Sequence, residues 1–300
     1  MQITNTYYRL YSNEKTIIMS NKRLFLFAGY NKSGKIDDAL IYYICALEKF
    51  GDIILVMDSN CPDSELKKIQ KHCVYTSAIR HGEYDFGSYK RAYNWAKKNL
   101  NISDYDILYL VNDSVYGPLY DLTSYFKTME SGNGDAFGIV KNPHHDHPHI
   151  QSWFVGLRKN IFFTTWFDTF INEVTKLSSK GEITRKYEHG LSKLITAHNH
   201  KWCCLYTVAR RGIYNKIGKL YRAKMPFMKK VAITRNHGAL GKQVLYVLNS
   251  LPQPARDAIY NSVIDTYGEK YTKWFLTKNP LKIIKRRIHH ALYKILNEGI

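Results

Sequence analysis

The sequence predicts an α/β fold in which helices flank a mainly parallel, mixed sheet. Three observations favour this fold: apolar runs with strand character recur through the first half, stretches with helical spacing separate them, and two of the runs end at an aspartate. Apolar runs without polar alternation are typical of strands in a parallel sheet that helices cover on both faces.

The first half alternates strand and helix patterns. Residues 22–30 (KRLFLFAGY) predict a first strand that Gly29 closes, and residues 36–50 space their large apolar side chains as a helix does before Gly51 stops it. The other predicted elements of this half are a strand over 52–58, a helix from 63 to about 72, a short strand over 74–79, a helix over 88–100 and a strand over 106–111.

The second half is less regular. Its predicted elements are helices over 122–129, 161–177, 187–198 and 281–296 and strands over 135–140, 153–157 and 202–209. From Lys216 onward basic residues and prolines become frequent. We therefore expect an N-terminal extension over residues 1–20, a main domain over 21–215 and a basic, mainly helical C-terminal region over 216–300.

The composition is that of a strongly basic globular protein. Three hundred residues with 45% apolar content can bury a substantial core, and a formal charge of +19 calls for nucleic acid, an anionic membrane surface or a phosphorylated substrate. No apolar run approaches 18 residues and the N-terminus is polar, so we expect neither a membrane-spanning helix nor an export signal. Five irregularly spaced cysteines favour reduced thiols in a cytoplasm.

The most informative segment is YDILYLVNDSVYGPL, in which an apolar strand gives way to Asn112, Asp113 and Ser114. The carboxyl edge of an open α/β sheet opens into the crevice where ligands bind. Asp113 can supply one oxygen ligand to Mg²⁺ or Mn²⁺, whose other ligands are commonly water and substrate phosphate. The alternative is a structural aspartate that caps the Gly117-Pro118 turn.

Further residues are candidates for contact with a nucleotide. Asp58 ends the second strand and can hydrogen-bond a base or ribose, or else form the turn before the next helix. Asp85, with Arg80 and Lys90 nearby, can contact the base or diphosphate. A helix that starts at Ser88 would direct its N-terminus at the phosphates, and the alternative is a simple helix cap.

A second apolar run begins at His149 with polar groups at its entrance. Four histidines between residues 144 and 149 suit a solvated loop better than a preformed tetrahedral metal site, because Pro148 interrupts them. His149 is the catalytic candidate among the four. Gln151 can bind hydroxyl groups of a ligand through its amide, or complete a strand ladder, and Trp153 is a further candidate for contact with a ligand.

Four segments form a distinctive set: YDFGSYK (84–90), NDSVYGP (112–118), HIQSWF (149–154) and PFMKK (226–230). Together they resemble the rhamnan synthesis protein F family, bacterial glycosyltransferases of surface-polysaccharide assembly, over roughly residues 20–235. The order of elements also resembles the Rossmann-type fold of nucleotide-sugar transferases called GT-A. In such folds the first strands hold the nucleotide, and an Asp-x-Asp motif holds a divalent cation on the diphosphate. In this chain the implied donor-binding residues are Asn112, Asp113 and Ser114. There is no second carboxylate beside Asp113, so the need for Mg²⁺ or Mn²⁺ stays open.

The resemblance implies sugar transfer from a nucleotide diphosphate donor, with inversion at the anomeric carbon. Glu188 precedes the strand at Trp202 as a Glu-Asp motif does in many inverting GT-A enzymes, which makes it the candidate base, although His189 replaces the aspartate. The alternative is a glutamate that the helix dipole stabilises in a first turn. Lys229 and Lys230 are implied ligands of a phosphate or a lipid-diphosphate acceptor, and the alternative is a solvated basic turn. Gln151 and Trp153 are the other implied acceptor-binding residues.

The implied donor carries rhamnose or another deoxysugar, as in dTDP-rhamnose. The implied acceptor is a lipid-linked or growing glycan, of lipopolysaccharide O-antigen or capsule, on the inner face of the cytoplasmic membrane. The last helix fits that place, because apolar residues recur along one side of it and basic residues occupy the other, as in helices that lie on anionic membranes. The alternative is that its apolar stripe packs on the core. The stripe is Leu281, Ile284, Ile288, Leu292 and Ile295, and the basic side is Lys282, Lys285, Arg286 and His289.

Two other functional classes fit parts of the sequence. The charge and the many tyrosines suit a non-enzymatic nucleic-acid-binding protein, although no zinc-finger, helix-turn-helix or RNP-like motif is present. The missing second aspartate suits a catalytically inactive GT-A-like scaffold.

Overall fold

The computed structural model describes residues 21–209 and 211–297. The predicted extension over 1–20 lies outside the described residues. The described chain forms two compact units. The first unit comprises described residues within 1–36, 44–113 and 122–210, and the second comprises those within 37–43, 114–121 and 211–300.

An eight-stranded sheet forms the first unit, with the order β3-β2-β1-β4-β8-β6-β7 and with β9 paired to β6. Strands β1 to β4 are parallel, as is β9 to β6, whereas β8 and β7 run antiparallel to their neighbours. The predicted α/β class with a mixed sheet is confirmed. The strands are β1 (Arg23–Gly29), β2 (Asp52–Met57), β3 (Tyr75–Ala78), β4 (Ile107–Asn112), β5 (Val115–Tyr116, in the second unit), β6 (Ala136–Asn142), β7 (His149–Ile150), β8 (Phe154–Arg158) and β9 (Trp202–Thr207).

Helices α1 to α8 accompany these strands along the chain. They are α1 (Asp38–Glu48), α2 (Asp63–Leu66), α3 (Tyr84–Asn99), α4 (Thr123–Glu130), α5 (Lys159–Phe162), α6 (Thr165–Asn172), α7 (Lys180–Ile183) and α8 (Gly190–Ala197), with 3-10 turns at Gln70–His72 and Ile102–Asp104 and a π-helical segment at Thr184–His189.

The continuous apolar runs form strands because both faces of the sheet are covered. Every residue of β4 is buried. Tyr109 in its middle stacks on Phe25 at 5.1 Å between ring centroids, and its hydroxyl donates to Glu130 at 2.7 Å. Glu130 also forms an ion pair with Arg23 at 2.6 Å, so this buried carboxylate has both a hydrogen-bond donor and a positive charge beside it.

Several predicted helices have different bounds in the structure: the helix predicted from 63 to about 72, for example, ends at Leu66 and is followed by a 3-10 turn over 70–72. Helix α3 begins at Tyr84 and not at Ser88, so Asp85 belongs to its first turn and not to a loop before it, and Ser88 lies inside the helix and not at its start. The helix predicted over 161–177 is two short ones, because the hydroxyl of Thr164 accepts from Phe167 N and starts α6 anew. The helix predicted from residue 187 begins at Lys180, where Ser179 and Glu182 form a capping box.

The second unit is mainly helical. Its strands β5 and β10 (Met228–Lys229) pair antiparallel, with Met228 opposite Tyr116. No described helix is both long and apolar enough to span a bilayer. Its helices from residue 211 onward are α9 (Gly212–Asn215), α10 (Ile217–Arg222), α11 (Gly241–Ser250), α12 (Gln253–Tyr267), α13 (Glu269–Phe275) and α14 (Pro280–Asn297), with 3-10 turns at Lys230–Ile233 and Arg235–Gly238.

Candidate active site at the carboxyl edge of the sheet

The residues that come after β1, β2 and β4 meet at one edge of the sheet, because these three strands are parallel neighbours. Asp113 N donates to the carbonyl of Ala28 at 3.1 Å, and Asp58 N donates to that of Gly29 at 2.8 Å. The carboxylate of Asp113 accepts from Tyr30 N at 3.3 Å. Asp113 is partly exposed and not sealed in the core, as a ligand-binding carboxylate requires.

The carboxylate of Asp58 stabilises the turn that follows β3 by accepting hydrogen bonds from its backbone. Its Oδ1 accepts from the backbone N–H groups of His81 and Gly82, both at 2.8 Å, while Arg80 donates to its carbonyl at 2.8 Å. The Asp58 side chain is only 6% exposed. These contacts stabilise a different turn from the one before α2 that the structural alternative predicted, and the contact of Asp58 with a base or ribose stays a prediction.

An exposed aromatic residue stands beside the predicted Arg80. The side chain of Arg80 is 51% exposed and Tyr30 is 47% exposed, and the guanidinium carbon lies 5.0 Å from the tyrosine ring. A planar cation next to an aromatic face offers a stacking surface for a nucleobase. The sequence motifs did not single out Tyr30, although it follows β1 just as Asp58 follows β2.

A line of hydrogen bonds runs from the end of β4 to Glu188. The amide of Asn112 donates to Asp85 at 2.9 Å and to the hydroxyl of Tyr89 at 3.2 Å. Tyr89 in turn donates to the carbonyl of Ser152 at 3.1 Å, and Ser152 N donates to Glu188 Oε2 at 3.0 Å. Because β8 is antiparallel to β4, Ser152 lies at the same edge as Asn112.

Glu188 and His149 form an ion pair at the far end of this line. His149 Nε2 lies 3.4 Å from Glu188 Oε1, and His149 Nδ1 donates to the carbonyl of His147 at 2.7 Å. Burial opposes ionisation of Glu188, but hydrogen bonds from His149 and Ser152 outweigh it and lower its pKa to about 2. Burial also opposes the charge on His149, yet Glu188 and the His147 carbonyl together raise its pKa above 6.5.

The π-helical segment Thr184–His189 places His189 against the same pair. The rings of His149 and His189 are 4.1 Å apart between centroids, and His147 is 5.8 Å from His189. Burial and the neighbouring His149 lower the pKa of His189 to about 4, so it is neutral near pH 7. π-Helical turns are rare and occur frequently at functional sites.

Two groups of three residues in the described part of the chain have metal-binding side chains with their ligand atoms within 4.8 Å of one another. One is His149, Glu188 and His189, and the other is Cys45, Glu48 and His72. Asp113 belongs to neither group. Its carboxylate fits a cation that takes a single protein ligand and completes its shell with water and phosphate, as Mg²⁺ does.

The remaining first-unit candidates are turned inward. Trp153 is 2% exposed, and its indole N–H donates to Gln151 Oε1 at 2.8 Å, so the pair supports the edge from within. The ammonium group of Lys90 donates to the carbonyl of Val174 at 2.9 Å. Its contact with the base or diphosphate stays a prediction.

The predicted lysines and Ser114 lie in the second unit. Lys229, in β10, donates to the hydroxyl of Ser114 at 3.0 Å. The ammonium group of Lys230 is 5.4 Å from the centroid of the Tyr116 ring. Their roles in binding an acceptor, and that of Ser114 in binding a donor, stay predictions.

The family described as rhamnan synthesis protein F matches residues 53–295, which is more than half of the chain. No curated protein sequence matches.

Several solved structures show a distant likeness. The mannosyltransferase Ktr4p from S. cerevisiae is 10% identical with a TM-score of 0.34, over 58% of this chain and 64% of that chain. Core-mannan synthase A from Aspergillus fumigatus, in an Mn/GDP form, is 13% identical with a TM-score of 0.32, over 57% and 68%. A cytidylyltransferase from Leptospira borgpetersenii is 11% identical with a TM-score of 0.39, over 86% and 98%. The chain spans less than two thirds of Ktr4p, and likenesses this distant do not define chemistry.

Proposed function

The chain belongs to the rhamnan synthesis protein F family, as its motifs predict, and from this premise we propose that it is an inverting glycosyltransferase. Family membership supports transfer from a nucleotide-sugar donor. The donor that we propose is dTDP-rhamnose or a related deoxysugar nucleotide. The proposed acceptor is a lipid-linked or growing surface polysaccharide, of O-antigen or capsule, on the inner face of the cytoplasmic membrane.

One observation carries the proposal: the hydrogen-bond line that joins the end of β4 to the His149–Glu188 pair along a single edge of the sheet. It supports a site in which donor and acceptor groups are held at opposite ends of a rigid frame. Fixed positions lower the entropic cost of bringing two substrates together.

The donor would occupy the end of the edge near Tyr30 and Asp113. Tyr30 and Arg80 supply the stacking surface for its base, and Arg80 supplies positive charge near the diphosphate. Asp113 would hold a divalent cation, Mg²⁺ or Mn²⁺, which neutralises charge on the leaving diphosphate when it is bound.

The acceptor hydroxyl would be deprotonated by the His149–Glu188 pair. Its oxygen forms a bond to the anomeric carbon while the bond from that carbon to the diphosphate breaks, and the nucleoside diphosphate leaves with the electron pair. A carboxylate whose pKa is about 2 is ionised at pH 7 but weakly basic. We therefore assign the proton transfer to both residues together. Glu188 receives the proton of the acceptor hydroxyl first, and neutral His149 then holds it, because the pKa of His149 is raised.

The test is a donor-turnover and transfer assay with nucleotide sugars, with and without Mg²⁺ or Mn²⁺. Sugar transfer that requires both Asp113 and Glu188 supports the proposal. Binding of a nucleotide sugar without any turnover would instead identify an inactive scaffold, and salt-sensitive RNA binding without nucleotide-sugar binding would identify a nucleic-acid-binding protein.

A further inference from the structure

A cavity of about 520 Å³ opens beside α14 in the second unit. Its lining is basic and aromatic, and none of its seven lining residues is acidic. Such a lining selects an anion of small size, since it offers cationic donors without a competing carboxylate. The residues are Lys282, Lys285, Arg286 and His289 of α14, with His237, Tyr271 and Trp274.

Arg286 gives this cavity a buried cation. It is 5% exposed, and its Nη1 donates to the carbonyls of Trp274 at 3.0 Å and Phe275 at 2.6 Å. Its Nε is also buried, but it has no hydrogen-bond partner within the residues that the structure describes. A buried charged donor without an acceptor is costly, and the uncompensated charge of this guanidinium on the cavity wall favours an anion in the cavity.

Two glycines make this arrangement possible. A Cβ at Gly241 would lie 2.0 Å from the Phe275 carbonyl oxygen and 3.0 Å from Arg286 Nη1, and a Cβ at Gly238 would lie 2.7 Å from the Trp274 ring. Gly238 also has a φ of +75°, which a side chain would strain. Close approach of α13 and α14 to these glycines therefore holds the cavity wall in place.

The apolar stripe of α14 is exposed next to the cavity. Leu281 is 76% exposed, and Ile284, Ile288 and Leu292 each expose more than half of their surface. The predicted alternative, in which the stripe packs on the core, is wrong for these four residues. At 100° per residue, the cavity-lining side of α14 lies roughly 100° around the helix from the stripe.

We propose that the cavity binds the phosphate headgroup of an anionic membrane lipid while the stripe of α14 enters the lipid surface. A helix that lies on a membrane keeps its apolar side in the acyl region and presents its flanks at headgroup depth. Trp274, on the cavity wall, is 40% exposed, as an aromatic residue at a membrane interface is. The proposal does not depend on the transfer reaction.

The phosphate of a lipid headgroup accounts for more features of this surface than a free phosphate ion does. A free phosphate would balance the charge of Arg286 and the lysines but would leave four large aliphatic side chains in water. A lipid supplies both the anion and the apolar phase. Electrostatic attraction to anionic lipids adds to the binding.

The experiment is cosedimentation of the full-length protein with phosphatidylcholine vesicles, with and without phosphatidylglycerol. We expect binding that requires phosphatidylglycerol, and a loss of about 30-fold in Lys282→Gln/Lys285→Gln, from the typical contribution of two basic residues at a lipid surface. The matched control Lys270→Gln/Lys278→Gln removes the same charge from exposed positions outside the cavity and should bind almost normally. Ile284→Gln/Ile288→Gln should also weaken binding.

Equal losses in the two lysine double variants would overturn the cavity assignment, because charge alone would then explain binding. Calorimetric binding of inorganic phosphate without vesicle binding would overturn the lipid assignment. All six substituted residues are exposed, so circular dichroism should show unchanged folding. Turnover of soluble donor should stay unchanged, which separates this test from that of the proposed function.

Discussion

The sheet edge of the first unit and the helical second unit differ sharply in charge. Residues 211–300 carry 18 lysines and arginines against four acidic residues, and so hold +14 of the formal +19. At the sheet edge, by contrast, Asp58, Asp113 and Glu188 are carboxylates, and each accepts a hydrogen bond from backbone or side chain. In the function and the membrane contact that we propose, the acidic groups at the sheet edge position the reactants and the basic surface of the second unit binds an anionic partner.

The largest expected effect comes from the donor end of the edge. Asp113→Ala should lower transfer about 1,000-fold, because it removes the proposed cation ligand where charge develops on the diphosphate. The measurement is the rate of nucleoside diphosphate release with saturating Mn²⁺. Asp104→Ala, an exposed aspartate just before β4, is the control and should keep full activity. Full activity in Asp113→Ala would remove the residue on which the donor site depends.

The acceptor end should respond less strongly. Glu188→Gln should lower kcat about 100-fold, a typical contribution of a general base, with little change in donor binding. Steady-state kinetics with both substrates varied measures this. Glu173→Gln, at an exposed position after α6, is the matched control. An unchanged kcat would exclude Glu188 from the proton transfer.

The third prediction concerns Tyr30, which the structure and not the sequence motifs identified as a candidate. Tyr30→Ala should weaken donor binding about tenfold, because stacking of a base on an aromatic ring contributes roughly 1–3 kcal/mol. Tyr30→Phe keeps the ring and should bind almost as the wild type does. Calorimetry with nucleoside diphosphates measures both. If the two variants bind equally well, the base does not stack on Tyr30.

The smallest expected effect is a change in pH dependence. His149 faces Glu188, His189 and the His147 carbonyl, and its pKa is raised. Transfer needs neutral His149, so activity should rise with pH through a value above 6.5. In Glu188→Gln this rise of activity should occur at lower pH, because the variant lacks the carboxylate that favours the imidazolium form of His149.

The ion pair between His149 and Glu188 also makes the stability of the folded protein depend on pH. The stabilisation from protonated His149 is complete below its unfolded pKa of about 6.5 and is lost as pH rises through the raised folded value. Thermal unfolding between about pH 5.5 and 9 should therefore show a decline in the wild type that Glu188→Gln lacks. Parallel curves for the two proteins would mean that the pair does not titrate as described.

The sequence predicted those parts of the site that depend on strand order. Asp58 and Asp113 end apolar runs, and parallel neighbours must bring such ends together. The contact between His149 and Glu188 could not be predicted, because it depends on an antiparallel strand and a π-helical turn that leave no periodic signal. Arg286 shows another limit: the helical pattern grouped it with the basic side of the last helix, whereas nearby glycines outside that helix allow it to be buried.

The length of the π-helical segment Thr184–His189 determines which side chains of this region face His149. A π-turn takes up more residues per turn than an α-turn, so its loss by a one-residue deletion would rotate the adjoining helix α8 by about 100°. Glu188 or His189 would then leave His149. Family members should therefore keep the length of this segment even where its composition drifts, and an alignment that inserts a gap there pairs the wrong residues.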